Sequence, residues 1–161
     1  METKYLKLLW RTLKECILKL VCTSTTLRES DVLGRYLTSS SQFSTKYNRV
    51  KHTAFMPIMN QDSGKFETSL FNINELNDTQ VLTLAQKNIL PNLGKGRSIY
   101  GTGNTNKGNI IDIGLNAEIS EPPKRHLNII DWPDEKSKRK QKAIELAAKS
   151  SLNLFESPLK N

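Results

Sequence analysis

The chain has 161 residues, 37% of them hydrophobic, and its 24 Lys and Arg against 16 Asp and Glu give a formal net charge of +8. This length fits one domain with its own core. Two cysteines form no disulfide framework, so we expect a protein of the reducing cytoplasm. The positive surplus favours an anionic partner, namely nucleic acid, an acidic protein or a membrane surface, although scattered solvated lysines would give the same total.

Residues 4–22 have the pattern of an amphipathic helix. Charged residues interrupt its apolar run, which argues against a secretory signal and against a membrane span. We expect residues 1–25 to form a helical arm and linker that docks on the domain or on a protein partner. Binding to an anionic membrane surface and folding on a partner are the alternatives. The apolar residues recur at helical spacing: Leu6, Leu9, Leu13, Ile17 and Leu20.

Residues 26–161 are expected to form a single α+β domain. A short helix is predicted over residues 32–37, where apolar residues recur at three-to-four spacing after a Ser-Asp pair. Residues 54–58 and 66–73 are predicted to be strands of an antiparallel hairpin, because a polar turn with a glycine separates them.

A middle helix is predicted to begin at Asn77 or Asp78. Gln80 follows Asn77 at the spacing of a capping box, and Pro91 ends the helical pattern. Residues 101–108 are rich in glycine and asparagine and are predicted to be a loop. This stretch lacks the Gly-Lys-Ser/Thr ending of a phosphate-binding loop, so nucleotide binding there is not expected.

The stretch from Pro122 to Phe155 holds the densest positive charge. Residues 126–130 are predicted to form a buried strand, and Pro133 fits the first turn of a helix whose apolar stripe runs to Phe155. The expected architecture is therefore a small, mainly antiparallel sheet with a middle helix and a C-terminal helix on one face, plus the N-terminal arm.

Three segments of the chain resemble a group of small bacterial proteins. They are residues 123–129 (PKRHLNI) closing on Trp132-Pro133, the hydroxyl-rich residues 36–44, and residues 50–57. The similarity covers about residues 30 to 155. It implies a bacterial origin and one compact domain, it carries no mechanism, and it alone suggests a setting in antiphage defence or in a mobile element.

The candidate nucleic-acid surface combines the cations before the strand with those that open the last helix. Each cation placed on a phosphate would release counterions and make affinity dependent on salt. Trp132 could stack on a base, although a Trp between a strand and a helix is more often a core residue. The cations are Lys124, Arg125, Lys136, Lys138, Arg139, Lys140 and Lys142.

The alternative function is a small metal-independent enzyme, RNase-like or nucleotide-transferring and toxin-like. A histidine can move a proton and cations can stabilise a developing charge, which makes His126, His52 and Arg97 the candidate catalytic residues. The simpler interpretation of His126 is that it begins a strand and hydrogen-bonds backbone. No metal site, cofactor or small-molecule ligand is expected, because the histidines and cysteines lack ligand spacing.

The sequence therefore predicts a non-enzymatic basic accessory subunit. It would bind nucleic acid, or a protein complex associated with nucleic acid, through the cations between residues 124 and 142.

Overall fold

The computed structural model describes residues 26–161, so the predicted arm and its five apolar residues lie outside the described part. Residues 26–161 form nine strands and three helices: β1 Val32–Leu37, β2 Phe43–Ser44, β3 Arg49–Val50, β4 Ile58–Met59, β5 Phe66–Asn72, α1 Asp78–Asn88, β6 Ser98–Asn106, α2 Lys107–Asp112, β7 Asn116–Ile119, β8 His126–Ile130, α3 Lys136–Ala148 and β9 Ser151–Lys160. Short 3-10 helices span Ser40–Gln42, His52–Ala54 and Leu90–Asn92.

Seven strands form one antiparallel sheet in the order β7-β8-β5-β1-β6-β9, and β4 pairs with β5. The strands β2 and β3 form a separate hairpin. The predicted α+β fold with a mainly antiparallel sheet is confirmed.

The helices α1 and α3 pack on opposite faces of the sheet rather than on one. Successive side chains of a strand point to opposite faces. Leu33 and Leu37 of β1 join a core with α3, whereas Tyr36 joins a core with α1 and donates its hydroxyl to the Val81 carbonyl at 2.8 Å. We call these two sides the α3 face and the α1 face.

Several local predictions are confirmed and others are wrong. Helix α1 has the predicted capping box between Asn77 and Gln80, and β8 is the predicted strand at residues 126–130. Residues 32–37 form the strand β1 instead of a helix, because they pair with both β5 and β6 in the middle of the sheet. Residues 101–108 lie mostly in β6, and residues 151–155 lie in β9 rather than in the last helix.

Arg35 bridges a gap in the sheet between β1 and β5. These strands pair at Leu33–Asn72 and Gly34–Phe71, after which the Arg35 side chain occupies the interval. Its Nε donates to the Ala54 carbonyl at 3.0 Å and its Nη1 donates to the Ser69 carbonyl at 2.9 Å. Burial lowers the pKa of this guanidinium, so the carbonyl dipoles around it stabilise a charge that is partly removed from water.

Candidate functional site

The seven cations of the predicted nucleic-acid surface do not form one ridge. Lys124 and Arg125 lie in the turn between β7 and β8 and line a groove beside α1. The other five cations belong to α3, on the opposite face of the sheet. The Arg125 guanidinium also donates to the carbonyls of Asn72 at 3.1 Å and Asn74 at 3.3 Å, so part of its hydrogen-bonding capacity is used within the chain.

Two cations of α3 are held by the protein's own backbone. Arg139 is 9% exposed, its guanidinium lies 3.6 Å from the ring centroid of Phe66, and it donates to the carbonyls of Pro133 and Asp134. Lys142 donates to the Ile113 carbonyl. These contacts connect α3 to the beginning of β5 and to the loop after α2, so both cations contribute to the packing of the fold.

The remaining cations of α3 face solvent. Lys138 pairs with Glu135 at 3.0 Å, and the hydrogen bond from Ser137 followed by this lysine lowers the pKa of that exposed carboxylate. Lys136 and Lys140 are exposed one helical turn apart, with no carboxylate within ion-pair distance among residues 26–161.

A basic hairpin next to α3 was missed by the sequence reasoning. The inward residues Phe43 and Val50 anchor β2 and β3 in the α3-face core, and the turn between them projects Tyr47 into solvent with 61% of its surface exposed. Lys46 Nζ and Arg49 Cζ each lie 5.1 Å from the centroid of the Tyr47 ring. A signal was present in the sequence, because residues 32–61 contain no Asp or Glu.

Polar groups extend the surface around this hairpin. Lys51 is exposed directly after β3. Thr53 Oγ1 donates to the Ser41 carbonyl at 2.7 Å, which fixes residues 38–44, here called the hydroxyl loop, against the 3-10 helix His52–Ala54. Helix α3 packs against this 3-10 helix and against β3. The hairpin, the hydroxyl loop and the exposed lysines of α3 therefore belong to one side of the molecule.

The three residues of the enzyme hypothesis are not brought together. His126 begins β8 and packs against Phe71, whereas His52 lies in the 3-10 helix that packs on α3. Arg97 precedes β6, which is three strands away from β8, or about 14 Å across the sheet. What His126 does contact is Ser69, whose Oγ lies 2.6 Å from its Nε2.

Further features limit what the described residues can do. Trp132 is buried at 7% exposure and donates to the Ile129 carbonyl, which confirms that it is a core residue. Within residues 26–161, no cluster of three or more His, Cys, Asp or Glu side chains could hold a metal ion, and no helix has the length and hydropathy of a membrane span. No protein-family model, no curated protein and no solved structure matches the chain.

Proposed function

We propose that this protein binds nucleic acid through a hairpin surface made of Lys46, Tyr47, Arg49 and Lys51, and that Lys136 and Lys140 of α3 extend it. The observation that carries the proposal is the exposed ring of Tyr47, with the cations of Lys46 and Arg49 each 5.1 Å from its centroid. In this role the protein is an accessory subunit of the bacterial cytoplasm, with a protein partner for residues 1–25.

The chemistry of the hairpin surface suits a polyanion. Cations that contact phosphates release counterions, and an aromatic ring offers a stacking platform to any base. Arg49 adds a planar guanidinium, which both stacks and donates two parallel hydrogen bonds to phosphate. No carboxylate lies in residues 32–61 to repel the ligand, and the hydroxyls of Ser40 and Ser41 are exposed nearby as donors.

The surface favours a single strand over a duplex. A base can stack on Tyr47 only if its face is free, which is true of unpaired bases and not of those inside a helix. The hairpin also projects one ring rather than a helix or ribbon of the size that fills a major groove.

The test measures binding of a fluorescent single-stranded oligonucleotide by anisotropy over a range of KCl concentrations. The variant K46Q/R49Q/K51Q removes three positive charges from the hairpin surface and should reduce the slope of log affinity against log salt by about 2, since each phosphate contact contributes about 0.7 for a single strand. Tyr47→Ala should weaken binding by about 1–3 kcal/mol, the range for one stacked base.

The matched control is K87Q/K95Q/K124Q, which removes the same charge from exposed residues elsewhere. It should retain the slope of the wild type. Equal losses in the two triple variants would show that net charge alone drives binding, and an oligonucleotide that does not bind at low salt would refute the proposed function.

A further inference from the structure

A second polar cluster lies on the α1 face, where β5 pairs with β8. The register places Ser69 opposite Asn128 and Phe71 opposite His126. Directly paired residues of antiparallel strands project their side chains to the same face. Helix α1 covers Phe71 and its neighbours in β1 and β6, whereas Ser69, His126 and Asn128 keep part of their surface exposed.

The hydrogen bonds of His126 assign its tautomer. Nδ1 lies 2.8 Å from the Ser120 carbonyl, which can only accept, so Nδ1 carries the proton. In the neutral ring Nε2 is then an acceptor, and the Ser69 hydroxyl 2.6 Å away donates to it. The Phe71 ring packs edge-to-face with the imidazole of His126, with 5.2 Å between the two ring centroids, and this contact limits the rotation of the imidazole. A hydroxyl that donates to an oriented imidazole is the arrangement of an activated nucleophile.

Asn128 provides a donor beside this pair. Its Nδ2 donates one hydrogen bond to Glu67 Oε2 at 2.8 Å, and the same carboxylate accepts from Asn60 at 3.0 Å and from Ser63 at 3.1 Å. An amide nitrogen has two N–H groups. Since Glu67 orients the first, the second N–H of Asn128 can donate to an oxyanion that forms next to Ser69.

We propose that Ser69, His126 and Asn128 form an acyl-transfer site for small carboxylic esters or thioesters. The Ser69 oxygen bonds to the acyl carbon while its proton passes to His126 Nε2, and Asn128 donates to the oxyanion. The bond to the leaving group then breaks and His126 returns the proton to that group. Water repeats the two steps, releasing the carboxylic acid and restoring the Ser69 hydroxyl.

The surroundings favour an acyl rather than a phosphoryl group. A transferring phosphoryl group has three charged oxygens that require several cations or a metal, whereas a tetrahedral acyl intermediate has one oxyanion and is served by few donors. Among residues 26–161, no cationic side chain contacts the Ser69 hydroxyl. A cleft of about 580 Å³ lies beside His126 and has charges of both signs in its lining, among them Lys124, Arg125 and Glu121. The part of the substrate beyond the reacting carbon would extend from Ser69 past His126 into it.

The experiment uses the full chain and an alkyl fluorophosphonate probe. The Ser69 oxygen bonds to phosphorus, fluoride leaves, and the hydroxyl proton passes to His126. Trypsin releases residues 66–87, in which Ser69 is the single serine, so mass spectrometry locates the adduct. We expect labelling of this peptide in the wild type, none in Ser69→Ala, and a rate lowered about 100-fold or more in His126→Gln.

The control is Ser157→Ala, an exposed serine of β9, which should label like the wild type. A second measurement needs no variant: hydrolysis of 4-nitrophenyl acetate should begin with a burst of about one nitrophenolate per chain. Absence of both the adduct and the burst, or an adduct rate unchanged in His126→Gln, would overturn the proposal. Nucleic-acid binding by the α3 face is independent of either result.

Discussion

Arg139 provides the sharpest distinction between a binding cation and a structural one. The sequence groups it with the exposed lysines of α3, but the structure buries it against Phe66 and two carbonyls. We expect Arg139→Ala to destabilise the fold and to leave the salt dependence of nucleic-acid binding unchanged.

The expected loss follows from the contacts. A partly desolvated cation–π contact contributes about 1–2 kcal/mol, and hydrogen bonds from a charged donor contribute about 1.5 kcal/mol or more each. Burial of the guanidinium offsets part of this sum. The net loss for Arg139→Ala should be about 3 kcal/mol, which corresponds to a fall in Tm of about 6–12 °C for a chain of this size. Arg139→Lys keeps the charge but not the planar stacking group, and should lose about half as much.

The assay combines urea unfolding with the anisotropy titration. Lys140→Ala is the matched control, because this neighbouring residue is exposed on the same helix. Its stability should stay within about 0.5 kcal/mol of the wild type, while its salt slope should fall by about 0.7. Arg139 would be a binding cation rather than a structural one if Arg139→Ala keeps its stability within about 0.5 kcal/mol and loses salt slope instead.

Two further substitutions test the sheet. Burial raises the pKa of Tyr36, so the unfolded state should ionise first and stability should decline as pH rises above about 10, the unperturbed value. Tyr36→Phe removes the hydrogen bond to the Val81 carbonyl and should lower the free energy of unfolding by about 1 kcal/mol at pH 7. In urea unfolding this variant should lack the alkaline decline in stability. An identical decline in both proteins would show that Tyr36 does not cause it. In Gly101→Ala a Cβ would lie 2.2 Å from the Asn153 carbonyl oxygen. We therefore expect the free energy of unfolding to fall by about 3 kcal/mol or more in the same assay. An unfolding midpoint equal to that of the wild type would show that β6 and β9 are not in such close contact.

Local chemistry was enough to predict some of the elements. The capping box of Asn77 and Gln80 is a contact between residues three apart. The strand β8 begins shortly after Pro122 and Pro123, which cannot donate hydrogen bonds to a strand ladder. Such elements depend on neighbours in the sequence, so a pattern read along the chain finds them.

Other elements are decided by tertiary packing. The spacing of Leu33, Tyr36 and Leu37 fits a helix as well as a strand that buries both faces, and only the pairing with β5 and β6 selects the strand. The glycines of β6 suggested a loop, yet Gly103 lies where a Cβ would be 3.0 Å from Val50. A side chain at this position would require the Val50 side chain of the hairpin to shift by a few tenths of an ångström, and this close approach is not visible in the sequence of β6 itself.

The candidate sites show the same division. The hairpin surface could have been found from the absence of acidic residues around Tyr47. The contact between Ser69 and His126 joins residues 57 positions apart, so no local spacing indicates it. The cations between residues 124 and 142 lie on two different faces of the sheet. The short turn between β8 and α3 places α3 on the face opposite the β7–β8 loop.

The two proposed sites are compatible because they lie on opposite faces of the sheet. Glu67 supports Asn128 on the α1 face. The cleft near His126 is lined by charged side chains of both signs, which are Arg28, Lys124, Arg125, Asp31, Glu75 and Glu121. The cleft therefore offers no continuous positive surface to a polyanion and has room for a small substrate. On the α3 face the hairpin lies within an acid-free stretch of the chain. Arg35 connects β1 to β5 between them, since its guanidinium donates to the backbone carbonyl of Ser69. Because the sheet lies between the two sites, the chain can hold a nucleic acid on one side while it processes a small ester on the other.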